Sequence, residues 1–168
     1  MSIFTVTGVD PGLVHTGIVQ FRILPELRQW SLLEQAIPGI PDAKGRPTVD
    51  VDATVKWCLA NRSDAVFVEA YRPRSHLQND ARMGEAVSDL RRRIPNAKSL
   101  DNTGVKQVVL PALMKALDVW QFTTKTHHQD LRAAARIGLY GLLKNEDWNP
   151  ILAQLIQDHI DGKGWSLI

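Results

Sequence analysis

Residues 3–21 read IFTVTGVDPGLVHTGIVQF, and the reading of this stretch sets the frame for the whole chain. An apolar run from Ile3 to Val9 ends on one carboxylate, Asp10. Pro11 and Gly12 then turn the chain, and a second apolar-rich run follows from Gly17 to Phe21. Proline restricts φ and glycine frees it, as a tight reversal between two strands requires. The expectation is strand, turn, strand, with Asp10 held at the end of the first strand. A carboxylate on a rigid strand beside compact glycine backbone is well placed to hold a metal ion near a phosphate. Asp-Pro-Gly alone is also ordinary turn chemistry. Its company adds weight: DAVFVEAY, a second strand-like run, ends on Glu69, and a late helix opens with His127-His128-Gln129-Asp130. Two carboxylates at strand ends and one on a helix suit a divalent cation.

The chain has 168 residues, room for one well-cored domain spanning 1–168 and too few for two. Hydrophobic residues make up 44% and charged residues 23%, which describes an ordinary soluble globular protein. No apolar run approaches a membrane span, and residues 1–20 lack a basic segment followed by a signal core. The lone cysteine, Cys58, excludes an internal disulfide and suits a reducing cytoplasm, the expected location. Net charge is only +2, but its distribution is uneven: nine basic residues stand against six acidic ones between Arg62 and Lys106, around Glu69. A solvated helix face accounts for Arg91-Arg92-Arg93; a phosphate-binding patch accounts for the wider crowding.

Taken in order, residues 28–37 complete an antiparallel meander after a turn over 26–28, and 38–47 (PGIPDAKGRP) form a surface loop. Helical spacing over 48–61 puts Asp50 and Asp52 in a first turn and Trp57 in the core. A helix between this region and a strand over 64–69 implies a crossover, hence a mixed sheet. The next helix spans 77–94, capped by Ser75 or Asn79, with Met83, Ala86, Val87 and Leu90 on its apolar face. Gly84 within it implies close packing or close approach of a partner. Residues 97–100 form another strand, 101–104 a turn, 105–110 a helix interrupted by Pro111, and 112–120 a further helix. Thr126 caps the last major helix, with His127 and Asp130 three apart on one face of its first turn. A short helix over 150–160 and a stop at 162–164 finish the chain.

GVDPGLVHTGIVQF, FVEAYRPR, DARMGEA, TGVKQVV and HHQDLRAAARIG occur in an order and spacing that resembles the RuvC-type Holliday-junction resolvases. The resemblance runs from Val6 to about Leu142. It implies an RNase H-like α/β fold, a central five-stranded mixed sheet (antiparallel meander plus parallel strands) flanked by helices. It also implies an acidic quartet at Asp10, Glu69, His127 and Asp130; many members carry aspartate where this chain has His127. The implied chemistry is phosphodiester hydrolysis with two Mg²⁺ ions roughly 3.5–4 Å apart, Mn²⁺ substituting. On that basis Asp10 bridges the ions, Glu69 serves the one nearer the attacking water and Asp130 the one nearer the leaving oxygen. His127 ligates weakly, orients water or carries a proton.

Lys106 matches a basic position near the scissile strand, the alternative being an exposed lysine in a helix's first turn. Tyr71 is either an aromatic stacking on bases at the branch point or a packing residue. Arg72, Arg74 and Arg82 are expected to contact phosphates without reading sequence. A four-way junction has two equivalent strands to cut, so a symmetric homodimer is implied, with helix 77–94 as the expected interface. Phage genomes also carry resolvases of this kind. The same site would serve a broader fork or flap nuclease. Two further readings are a non-catalytic junction-binding module and an ATPase of the actin and heat-shock-chaperone kind, which needs two such lobes to enclose nucleotide.

Overall fold

Strand β1 (Phe4–Asp10) pairs antiparallel with β2 (His15–Leu24), placing Asp10 opposite Gly17 and Val6 opposite Phe21. A second antiparallel pairing joins β2 to β3 (Gln29–Pro38), closing the meander. In the computed structural model, which describes residues 3–73, 81–122, 127–145 and 149–167, the hairpin connection spans residues 11–14, with Pro11 and Gly12 leaving β1 and the bend itself at Leu13 and Val14. Between β3 and β6 (Ala65–Glu69) the chain forms two short strands, β4 (Ile40–Pro41) and β5 (Pro47–Thr48), and helix α1 (Val51–Ala60). Strand β6 runs parallel to β1 with Val9 opposite Val68, so Asp10 and Glu69 leave the sheet at the same edge. Beyond it lies β7 (Ala97–Leu100), parallel to β6. These are the five expected strands, and β8 (Ser166–Leu167) adds a sixth beside β3, giving the order β7-β6-β1-β2-β3-β8.

Side chains alternate across the sheet with a period of two, and the two faces carry separate cores. On one face Val6, Val19, Phe21, Ala65 and Phe67 pack with α5 (His128–Lys144). On the other, Val9, Ile18, Val66 and Val68 meet α1 and α2 (Ala81–Arg93) through Val55, Cys58, Val87 and Leu90. Asp10, Gly17, His15 and Glu69 all fall in phase with the α5 face. Leu131, Ile137, Leu139 and Leu142 of α5 are at most 1% exposed, and each contributes about 1.5–3 kcal/mol by burial. Two strand glycines let this helix come close. A Cβ on Gly8 would lie 2.0 Å from the Ala134 carbonyl oxygen, and one on Gly17 would lie 2.3 Å from that of Asp130.

Several local expectations are corrected. Residues 38–47 are not featureless: Asp42 accepts from the Lys44 and Arg46 amides at 2.8 and 2.9 Å and pins the β4–β5 hairpin. Asp50 stands just outside α1 as its N-cap, accepting from the Ala53 amide at 2.9 Å. Pro111 does not merely interrupt a helix: α3 (Val105–Val108) stops short of it, and it opens α4 (Pro111–Ala116), whose end comes before a left-handed Asp118 with φ 53°. His127, expected inside the first turn of α5, is its N-cap, in left-handed backbone with φ 65° and ψ 21°. Ser75, Asn79, Thr126 and the expected start of α2 lie outside the described residues.

The tail is tied to the sheet. Helix α6 (Asn149–Ile160) carries Asp158, which is 2% exposed. Its carboxylate accepts from Trp165 Nε1 at 3.0 Å and Gln154 Nε2 at 2.7 Å and lies 3.4 Å from Arg28 Nε.

Candidate active site

The ends of β1 and β6 bring Asp10 and Glu69 together. Burial pushes the Asp10 carboxyl well above the usual carboxylate range, and a side-chain hydrogen bond with Glu69 and the charges of Glu69 and Asp130 push it further. A divalent cation among them would oppose that shift, because nearby positive charge favours the ionised carboxylate. Glu69 is steadied from the next strand: the Asn102 side-chain amide donates to Glu69 Oε1. The loop carrying Asn102 is itself fixed, because Asp101 accepts from the Thr103 amide at 2.9 Å and pairs with Arg72. An open cleft of about 590 Å³ fronts this edge, lined by Asp10, Glu69, Tyr71, Arg72, Met83 and Asn102 among others.

The first turn of α5 supplies the other half of the site. His127 Nδ1 stands 3.6 Å from Asp130 Oδ2, the two being three residues apart as expected. The His127 carbonyl accepts the Leu131 amide at 3.1 Å, and His128 Nδ1 accepts the Phe122 amide at 3.2 Å, which anchors the start of the helix. A third group joins them: the His15 ring lies 3.8 Å, centroid to centroid, from that of His127. Donor atoms of His15, His127 and Asp130 all fall within 4.8 Å of one another. The set of carboxylates and imidazoles around the β1 end fits a divalent cation of the Mg²⁺ or Mn²⁺ kind by the chemistry of its donors. Asp10, Glu69 and Asp130 would hold it through oxygen, and His127 through nitrogen.

No protein-family model matches the chain, and no curated protein sequence matches it. Its three-dimensional likeness is another matter. Thermus thermophilus RuvC, in its structure with a Holliday junction substrate, superposes with a TM-score of 0.58 at 19% identity, over 81% of this chain and 90% of that one. A second structure of Thermus RuvC gives 0.57 at 19% identity, over 81% and 92%. This chain has the RuvC fold. The yeast mitochondrial Holliday junction resolvase matches it at TM-score 0.52 and 13% identity, over 94% of this chain and 82% of that one. The RuvC-type, RNase H-like sheet is thus the architecture that the sequence motifs imply, with α5 crossing β1 and β2.

On this RuvC-type frame the remaining expected residues are scattered. Tyr71 is half-buried against the α1–α2 side core and borders the cleft; a Cβ on Gly84 would lie 3.9 Å from its ring. That is an ordinary contact, so close packing within the chain does not require the glycine, which is exposed on α2. Arg72 borders the cleft, engaged with Asp101. Lys106 is exposed on α3 and makes no ion pair with the site carboxylates among the described residues. Arg82 faces elsewhere: it donates to the Pro47 carbonyl at 2.9 Å, stands 3.9 Å from Asp42 and lines a separate groove of about 950 Å³. Arg74 lies outside the described residues.

Sequence reasoning missed His15 and Asn102. Period-two phasing from Gly17 places His15 on the α5 face, a signal present in the sequence. Asn102 sits in a turn tetrapeptide, Asp-Asn-Thr-Gly, whose composition speaks only of turns.

Proposed function

We propose that this chain is a metal-dependent endodeoxyribonuclease that cuts four-way DNA junctions by paired, symmetric phosphodiester hydrolysis. The observation that carries the reading is the convergence of Asp10, Glu69, His127 and Asp130 at one edge of a RuvC-type sheet. The structures it resembles are those of Holliday junction resolvases, one with junction DNA.

Two Mg²⁺ or Mn²⁺ ions, when bound, supply charge neutralisation at the phosphate and an ionised water. The chain's own groups do the rest. Asp10, central in the sheet and flanked by both halves of the site, would supply a carboxylate ligand to the metal. Glu69, oriented by Asn102, would serve the side of the attacking water, and Asp130 that of the departing oxygen. His127, its Nδ1 3.6 Å from Asp130 Oδ2, would orient water or carry a proton. Arg72 and Tyr71, on the cleft rim, would position the backbone and a splayed base, and the exposed Lys106 would add a further phosphate contact, whereas Arg82 lines a separate groove.

A junction offers two equivalent cuts, so the enzyme acts as a homodimer, with the exposed Gly84 surface of α2 as its contact. No helix among the described residues is long and apolar enough to cross a membrane; the protein would act on DNA in the cytoplasm.

The test is a strand-labelled panel of four-way junctions, forks, flaps and linear duplex, with Mg²⁺ or Mn²⁺ and Asp10→Asn as control. Paired nicks confined to the four-way junction support the reading. Equal cutting of forks and flaps replaces it with a general branched-DNA nuclease, and binding without cutting replaces it with a junction-binding module.

A further inference from the structure

The two halves of the site differ in donor chemistry. On the β6 side of Asp10 the donors are carboxylate oxygens, Glu69 being held by Asn102. On the β2 side stand two imidazoles and one carboxylate, from His15, His127 and Asp130, with ligating atoms within 4.8 Å of one another. Two elements, β2 and the start of α5, fix this second set. His15 opens β2, opposite Pro38 of β3, and faces α5 in phase with Gly17. His127 meets it from a left-handed backbone at φ 65°, a conformation that among residues with a side chain favours asparagine, aspartate and histidine. Asp130 is brought down by the missing Cβ of Gly17, which lies directly beneath its carbonyl. The rings of the two histidines meet at 3.8 Å and 38°, and each is half-buried, open on one side to solvent.

We propose that His15 completes, with His127 and Asp130, a two-imidazole, one-carboxylate cation site on the β2 side of Asp10. It takes a borderline transition-metal cation (Zn²⁺, Co²⁺ or Mn²⁺) in preference to Mg²⁺. Imidazole nitrogen raises affinity along the first-row series and adds little for Mg²⁺, which prefers oxygen and keeps its waters. Three ligands of this kind leave coordination positions open. The site deepens the nuclease reading and rests on it only through Asp130 and His127; cation binding by the three side chains stands whether or not the chain cuts DNA. Applied to that reading, the cation nearer the leaving oxygen is the discriminating one. Catalysis would then favour Mn²⁺ over Mg²⁺.

The experiment is a titration of the purified protein with Co²⁺, read by its visible d–d absorption and by calorimetry. His15→Ala, His15→Gln and Asp10→Asn are run beside the wild type, and folding of each is checked by thermal melting. The wild type is expected to develop nitrogen-ligated Co²⁺ bands that Zn²⁺ displaces and millimolar Mg²⁺ does not. Both His15 variants should weaken Co²⁺ binding by about 10–100-fold while their Mg²⁺ binding is unchanged. Unchanged Co²⁺ affinity in His15→Gln, or displacement by Mg²⁺ as readily as by Zn²⁺, overturns the proposal. Junction cleavage is assayed separately. Failure to cut with Co²⁺ bands intact sinks the nuclease reading alone, and cutting with no His15 effect on binding sinks this one alone.

Discussion

Gly17 lies directly beneath Asp130: a Cβ at residue 17 would come 2.3 Å from the Asp130 carbonyl oxygen. Backbone cannot swing aside as a side chain can, so Gly17→Ala must lift the first turn of α5 off β2. The expected cost is about 1–3 kcal/mol of stability, together with a larger loss of cleavage, because Asp130 and His127 move with the turn. Gly164, with nothing within 4 Å of its would-be Cβ, supplies the control. Equal melting temperatures and rates for Gly17→Ala and Gly164→Ala would refute the close approach.

Asp10 makes a prediction about pH. Its folded-state proton affinity is raised by burial, then by Glu69 and Asp130, so the folded chain holds a proton that the unfolded chain releases. The associated stability is fully present below the ordinary carboxylate value of about 4 and is lost as pH rises through the raised value. In chelator the melting temperature should therefore fall as pH climbs above the ordinary carboxylate range, and Mg²⁺ or Mn²⁺ should restore it. Asp10→Asn should flatten both responses, melt higher than wild type in chelator and cut no junction. A variant as pH-sensitive as wild type would remove Asp10 from this account.

Asp158 carries the opposite sign. The Trp165 indole N–H, then Gln154, then the charges of Arg28 and Lys163, hold its carboxyl below the usual value. Its contribution is present above the unfolded pKa of about 4 and is lost as pH falls through the depressed one. Acid should release the tail before the sheet, visible as early exposure of Trp165 by fluorescence quenching. Asp158→Asn should bring the same release to neutral pH and lower the melting temperature.

Asn102→Ala removes the amide that donates to Glu69. The residue is exposed, so folding should hardly change, while single-turnover cleavage should slow by about 10–100-fold, the usual effect of losing a group that orients a metal ligand. A melting shift without a rate change would make Asn102 a structural residue only.

Much of this was open to inspection in the residues themselves. Asp10 and Glu69 stood out because each ends an apolar run, and a parallel crossover carries both ends to one edge. His127 and Asp130 stood out by spacing. What stayed hidden depends on pairing across the chain. His15 matters only once register sets its face and α5 lands beside it, and Asn102 only once β7 aligns with β6. The 38–47 stretch looked like bare loop because its organiser, Asp42, is a short-range polar residue that no hydrophobic period reveals. The short-helix reading of 150–160 says nothing of Asp158; only Arg28, far off in sequence, and Trp165 in the tail make it an anchor.

The order of elements along the chain has a temporal side. Helix α5 is the main cover for one face of the sheet and the carrier of Asp130 and His127, yet it follows β1, β2, β3, β6 and β7 along the chain. A nascent chain that has emerged only to Phe122 owns both strand-end carboxylates but neither the cover nor the partners that complete the cation cradle. If the proposed function holds, such a half-made chain would cut nothing. On the proposed function, synthesis itself would act as a safety catch, keeping the site unarmed until the fold is nearly closed.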